Sequence, residues 1–178
     1  MKQTLLDILR DRNTSIVDFR RASDKLAELI ATDIACPAED IVLIPILRAG
    51  IALLPSFLKC FETARVGFIG VKRDTKALPV LYYENLPSLS KNDSIIILDP
   101  IIATGGSTLI TLEKLTQTGA SPEKITLVGM VAAPEGLEAI QKNFPAVEVN
   151  VLAVDQGLDE RKYIVPGLGD FGDRYFGC

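Results

Sequence analysis

The chain has 178 residues, with 19 Lys and Arg against 23 Asp and Glu, and this balance offers no electrostatic case for nucleic acid. Its apolar runs are broken by Pro, Arg or Asp well short of the ~20 residues a membrane span needs, and the N-terminus carries acids and no signal-peptide core. Histidine is absent, so any chemistry must rest on carboxylates, Arg, Lys, backbone donors and an imported metal or cofactor.

From 15 to about 34 the spacing of Phe19, Ala22, Leu26, Leu29 with Ile30, and Ile34 predicts a helix. Ser15 with Asp18 opens it and Cys36-Pro37 ends it. Ile41 to Leu47 and Val66 to Val71 are continuous apolar runs of strand length, and between them 50–60 reads as a helix that Pro55 kinks. Val80 to Tyr83 predicts a short antiparallel strand, Ile95 to Leu98 a buried strand, and Gly106 to Thr118 a helix stopped by Gly119. Ile125 to Val131 is the next strand. Pro134 opens a helix with Leu137, Ile140 and Phe144 on one face, and Val147 to Val154 closes the alternation.

This alternation predicts an α/β fold: a mostly parallel twisted sheet with helices on both faces and ligands beyond the carboxyl ends of the strands. Arg48, Lys72, Arg73, Asp99 and Asp155 each follow a predicted strand end and are expected to converge on one edge. Residues 1–178 read as one domain: a helical segment over 1–40, the α/β core over 41–154 and a hood over 155–178. The hood is dense in glycine and is expected to hold no regular element, yet Tyr163, Ile164, Val165, Phe171, Tyr175 and Phe176 are too apolar for a disordered tail. Gly167, Gly169 and Gly172 spell GxGxxG, but no second strand with an acid follows, so a dinucleotide fold is set aside. Cys36, Cys60 and Cys178 are scattered and odd in number, which fits incidental thiols in a reducing cytoplasm.

The segment IIILDPIIATGGST, 95–108, carries the chemistry: strand, acid, small hydroxylated and glycine residues, then helix. Ala103 to Ser107 offer backbone N–H groups where the helix dipole favours an anion. Asp99 would repel a bare phosphate there unless a metal or sugar hydroxyls lay between, so the order points to a sugar phosphate. Read alone, the segment also fits a tight strand-to-helix turn with no ligand.

Four segments, PILRAG (45–50), ARVGFIGVKRD (64–74), LDPIIATGGS (98–107) and YIVPGLGDFGDRYFG (163–177), resemble the uracil phosphoribosyltransferase family in its own order. The resemblance runs over nearly the whole chain from Thr4 and implies a type I phosphoribosyltransferase fold. It implies transfer of phosphoribose from 5-phosphoribosyl 1-diphosphate (PRPP) to N1 of uracil, giving UMP and diphosphate. Pro100, Ile101, Ile102, Ala103, Thr104, Gly105, Gly106 and Ser107 would then hold the PRPP phosphate, and Asp99 the ribose hydroxyls. Arg48 and Arg73 would bind the diphosphate, although Arg73 also reads as a solvated charge and Lys72 as either a surface or a phosphate residue. Backbone groups of Ile164, Gly169 and Phe171 would read the pyrimidine. Asp170, counted with these uracil-binding residues, would also face PRPP and its Mg²⁺, which would be held through PRPP and water rather than by direct protein ligands.

The family further implies a cytoplasmic homo-oligomer. This chain departs from it in lacking a β-arm before the first strand, where 35–40 bridge the gap, and a glutamate after Arg73-Asp74. Two rival functions share the fold: a catalytically weak sensor of PRPP or nucleotides, and a transferase for another base.

Overall fold

The computed structural model describes residues 1–34, 40–73 and 78–178, with Arg73 described by its backbone alone. The expected helix end at Cys36-Pro37 lies outside the described residues, as does residue 74. One sheet contains Ile41–Leu47 (β1), Arg65–Val66 (β2), Phe68–Arg73 (β3), Pro79–Asn85 (β4), Ser94–Leu98 (β5), Ile101–Ile102 (β6), Ile125–Ala132 (β7) and Glu148–Val154 (β8). Across it the order runs β4, β3, β1, β5, β7, β8, with β2 also on β1 and β6 also on β7. Every pairing is parallel except β3 with β4, where Phe68 faces Asn85.

The apolar runs are continuous because both faces of the sheet are covered. Ile41, Leu43, Ile96, Leu98, Val128 and Met130 point to one side, where Phe19, Leu26 and Ile30 of helix Ile16–Asp33 (α2) and Phe57 of Leu54–Cys60 (α3) cover them. Val42, Ile44, Ile46, Ile95, Ile97 and Leu127 point to the other, beneath Leu112 and Leu115 of Gly106–Gln117 (α4) and Ile140 of Pro134–Asn143 (α5). Each such fully buried side chain contributes about 1.5–3 kcal/mol of transfer free energy.

Local chemistry sets the ends. The Ser15 hydroxyl accepts the Asp18 N–H at 3.1 Å and donates to the Asp18 carboxylate at 2.7 Å, capping α2. Three expectations are corrected. Pro55 stands in the first turn of α3 and starts the helix rather than kinking it, because a first-turn proline loses no hydrogen bond. The run from 66 to 71 is split, since Gly67 bonds Leu43 O and parts β2 from β3. The hood is regular after all: Gly157–Leu158 (β9) and Ile164–Val165 (β10) form a hairpin, and Phe171–Phe176 is a short helix (α6). A first helix, Lys2–Arg10 (α1), precedes α2 and buries Leu6 and Leu9.

Candidate active site

The strand order reverses between β1 and β5, since β3 lies on one side of β1 and β5 on the other. In open α/β sheets the crevice beyond such a reversal is where ligands sit. Arg48 follows β1 and Asp99 follows β5, so both stand at this point. A cleft of about 870 Å³ opens there, with the hood as its far wall.

The Leu47–Arg48 peptide is cis, and the chain then turns through a 3-10 segment, Ala49–Ala52. This turn lies directly over the end of β5. A Cβ on Gly50 would come 2.2 Å from Leu98 O, so only glycine fits. The Arg48 side chain is 56% exposed and reaches toward the hood. There its guanidinium donates to Asp173 Oδ1 at 2.7 Å and to Cys178 Sγ at 3.5 Å, and these partners raise its pKa.

Asp99 leaves β5 with its N–H on Val128 O, and Pro100 O accepts from Met130 and Val131 before β6 resumes the pairing with β7. This detour turns the carboxyl toward the cleft. Burial is the largest influence on it and pushes its pKa up to about 7, against the Ile101 N–H and the nearby Thr108 hydroxyl, which pull it down. The loop then climbs to Gly105, the N-cap of α4, at φ +77°. A Cβ there would meet Gly136 O at 2.9 Å, so α5 packs against the loop where a side chain would stand.

Asp99, Ile101, Ala103 and Ser107 all line the cleft, so the acid and the helix start face one space. Pro100, Ile102 and Gly105 are buried, Thr104 and Gly106 are half-buried, and none of the five is among the residues lining the cleft. Lys72 lines the cleft with Arg48, its Nζ 5.8 Å from the Tyr82 ring centre. Arg73 closes β3, and its side chain is not among those described.

On the hood side, Ile164, Gly169, Asp170 and Phe171 line the same cleft. The Phe171 ring turns away into the core, 5.4 Å from Phe19 and stacked on Tyr175 at 5.8 Å, which leaves its backbone toward the opening. Asp170 caps α6 by accepting the Asp173 N–H at 2.9 Å. Asp155 does not join the cleft. Its carboxylate is gripped by Arg10 of α1 at 2.6 and 2.8 Å and accepts the Gly167 N–H at 2.8 Å. Burial works to raise its pKa, but Arg10 and Gly167 outweigh it and hold the carboxyl below the usual range.

Sequence reading missed the N-terminal contribution. Arg10 also donates to Gly167 O at 2.9 Å, Arg174 donates to the carbonyls of Leu168, Leu9 and Asp11, and Arg12 enters the cleft lining. The i, i+3 pair Leu6 and Leu9 is the signal that could have revealed α1.

A parallel sheet with one antiparallel edge, and an acid and an Arg at its reversal facing a C-terminal hood, define a protein of the type I phosphoribosyltransferase class. A purine phosphoribosyltransferase from Pyrococcus horikoshii shares this fold at a TM-score of 0.58 and 18% identity, over 74% of this chain and 82% of that one. The AQ2163 protein from Aquifex aeolicus superposes at a TM-score of 0.91 with 34% identity, over 98% and 93%. The family model for uracil phosphoribosyltransferase matches residues 33–178. A uracil phosphoribosyltransferase from Thermoanaerobacter sp. (strain X514) is 40% identical over 197 residues, spanning 98% of this chain and 93% of its own. The chain therefore belongs to the uracil phosphoribosyltransferase family.

Proposed function

We propose that this protein transfers the 5-phosphoribosyl group of PRPP to N1 of uracil, releasing UMP and diphosphate. The observation that carries the reading is the meeting of Asp99, the start of α4 and Arg48 at one strand reversal, opposite a hood that presents backbone to the cleft. In this reading the amides and hydroxyls of 103–107 hold the 5′-phosphate, and Asp99 accepts from the ribose hydroxyls. Arg48 exchanges Asp173 for diphosphate oxygens, for which its planar fork is suited, and Arg73 joins it from β3. The bond from C1 to the diphosphate breaks, and uracil N1 takes its place at C1. Ile164, Gly169 and Phe171 read uracil through backbone groups, a fixed pattern that leaves partners unpaired when cytosine presents an amino group.

In this reading Mg²⁺ is carried into the site with PRPP. Among the described residues no three acids gather to cage one, whereas Asp170 is exposed, with one oxygen on Asp173 N and the other unengaged. When bound, the ion supplies charge neutralisation for the departing diphosphate. No described helix is long and apolar enough to cross a membrane, and a cytoplasmic homo-oligomer belongs to the same reading. The exposed Val80, Tyr82 and Tyr83 along β4, at the sheet's edge, support self-association, which light scattering decides.

Incubation with PRPP, Mg²⁺ and each of uracil, cytosine, hypoxanthine and adenine tests the activity. UMP as sole product is the expected result. Product from another base overturns the specificity, and tight PRPP binding without product makes the chain a sensor.

A further inference from the structure

Helix α4 is rich in threonine, and most of its hydroxyls have ordinary partners. Thr111 donates to Ser107 O at 2.9 Å, Thr116 to Leu112 O at 2.9 Å, and Thr118, just past the helix end, to Lys114 O at 3.1 Å. Thr108 differs. It is the third residue of the helix, so the carbonyl four residues back belongs to Thr104 in the preceding loop. Its side chain is buried, and Oγ1 has no partner of hydrogen-bond geometry among the described residues. A buried hydroxyl left so is a standing cost that valine, of the same shape, would avoid.

The group beside this hydroxyl is the Asp99 carboxyl, close enough for Thr108 to favour its charged form without completing an aligned bond. Ile101 N–H is the other donor on that carboxyl. Across the cleft stand Arg48 after β1, Lys72 on β3, Arg12 between α1 and α2, and Asp159, Arg161, Lys162 and Asp170 on the hood. Burial raises the pKa of this carboxyl, and the Ile101 N–H and the Thr108 hydroxyl lower it. The protonated carboxyl makes little demand on them. The ionised one needs every donor it can reach.

We propose that Thr108 is a positioning residue for Asp99, its core-facing hydroxyl held in reserve to bond the ionised carboxylate while the opposite side receives the ribose hydroxyls. This rests on the reading of Asp99 as the acceptor for PRPP. The family pattern quoted above ends at Ser107 and assigns no role to this position.

Carboxyl ¹³C NMR of the free protein tests it, with the Asp99 resonance identified by its loss in Asp99→Asn. Thr108→Val should move the Asp99 titration midpoint upward by about one pH unit, a tenfold change in its ionisation, and Thr108→Ser should restore it. Thr108→Ala, which adds no bulk, should move it the same way as valine. In steady-state assays kcat/KM for PRPP in Thr108→Val should fall about tenfold at pH 6.5 and approach wild type at pH 9, with Thr108→Ser tracking wild type. An unmoved midpoint in both valine and alanine variants overturns the proposal. So does a loss of kcat/KM equal at every pH that serine fails to repair. If wild type forms no UMP, the functional reading falls, and the titration in the free protein still decides for or against Thr108.

Discussion

At Asp99 the fold and the proposed chemistry pull the same proton in opposite directions. Burial favours the neutral acid up to a pH of about 7, whereas two ribose hydroxyls are best received by a carboxylate. With its carboxyl pushed up to about 7 by burial, kcat/KM for PRPP should rise with pH through about 7 and level above it. In Asp99→Asn that limb should vanish and kcat/KM should drop by about 100-fold or more, since an amide keeps the shape but loses the charge. The variant should melt no lower than wild type at pH 8, because it carries no buried charge. A flat wild-type profile would remove Asp99 from the site. At Arg48 the expectation concerns geometry rather than protonation. Arg48→Ala should lose most turnover with its circular dichroism unchanged, and Arg48→Lys should recover little, because an ammonium cannot match two phosphate oxygens at once.

At the scale of elements, α1 and α2 hold the hood in place. Arg10 and Asp155 form a bidentate pair with side chains 20% and 5% exposed, and both also bond the backbone of Gly167. Arg174 lies 4.2 Å from the Phe19 ring centre, and Tyr175 Oη donates to Asp24 at 2.8 Å, so α6 is fixed to α2. Removing one partner of a buried pair strands the other, so Arg10→Met should cost about 3 kcal/mol in urea unfolding. It should also raise KM for uracil more than KM for PRPP, because Gly167 leads into Gly169 on the base side of the cleft. Equal changes in both constants would mean that the clamp does not shape the base pocket.

This is also where the sequence stops being readable. β1, β5 and the turn after Asp99 stood out because apolar runs and a Gly/Thr/Ser loop are local patterns. Arg10 and Asp155 are 145 positions apart, and nothing near either residue announces the other. The strand-end rule even sent Asp155 to the wrong place, since it predicts where a side chain begins and not what it meets. α6 was hidden by glycine density, although Asp170 with Asp173 is a legible cap.

For the molecule as a whole, the two acids give stability opposite slopes with pH. Asp155 has a folded pKa below its unfolded one, so its contribution is complete above the unfolded value near 4 and is lost as pH falls through the folded value. Asp99 has a folded pKa above its unfolded one, so its penalty is absent in acid and grows as pH rises from 3.8 to about 7, reaching on the order of 4 kcal/mol. The free protein should therefore be most stable in mild acid and lose Tm between pH 5 and 8, while Asp99→Asn keeps it. PRPP engages the ionised carboxylate, so it should offset this penalty where the penalty is largest. The rise in Tm produced by a fixed excess of PRPP should thus be greater at pH 8 than at pH 6 in wild type. PRPP has titrating groups of its own, and the same comparison in Asp99→Asn subtracts them. If both proteins show the same pH dependence of the PRPP-induced rise, the ribose is held by something other than Asp99. If the difference disappears only in the variant, binding and folding free energies meet at this one carboxyl.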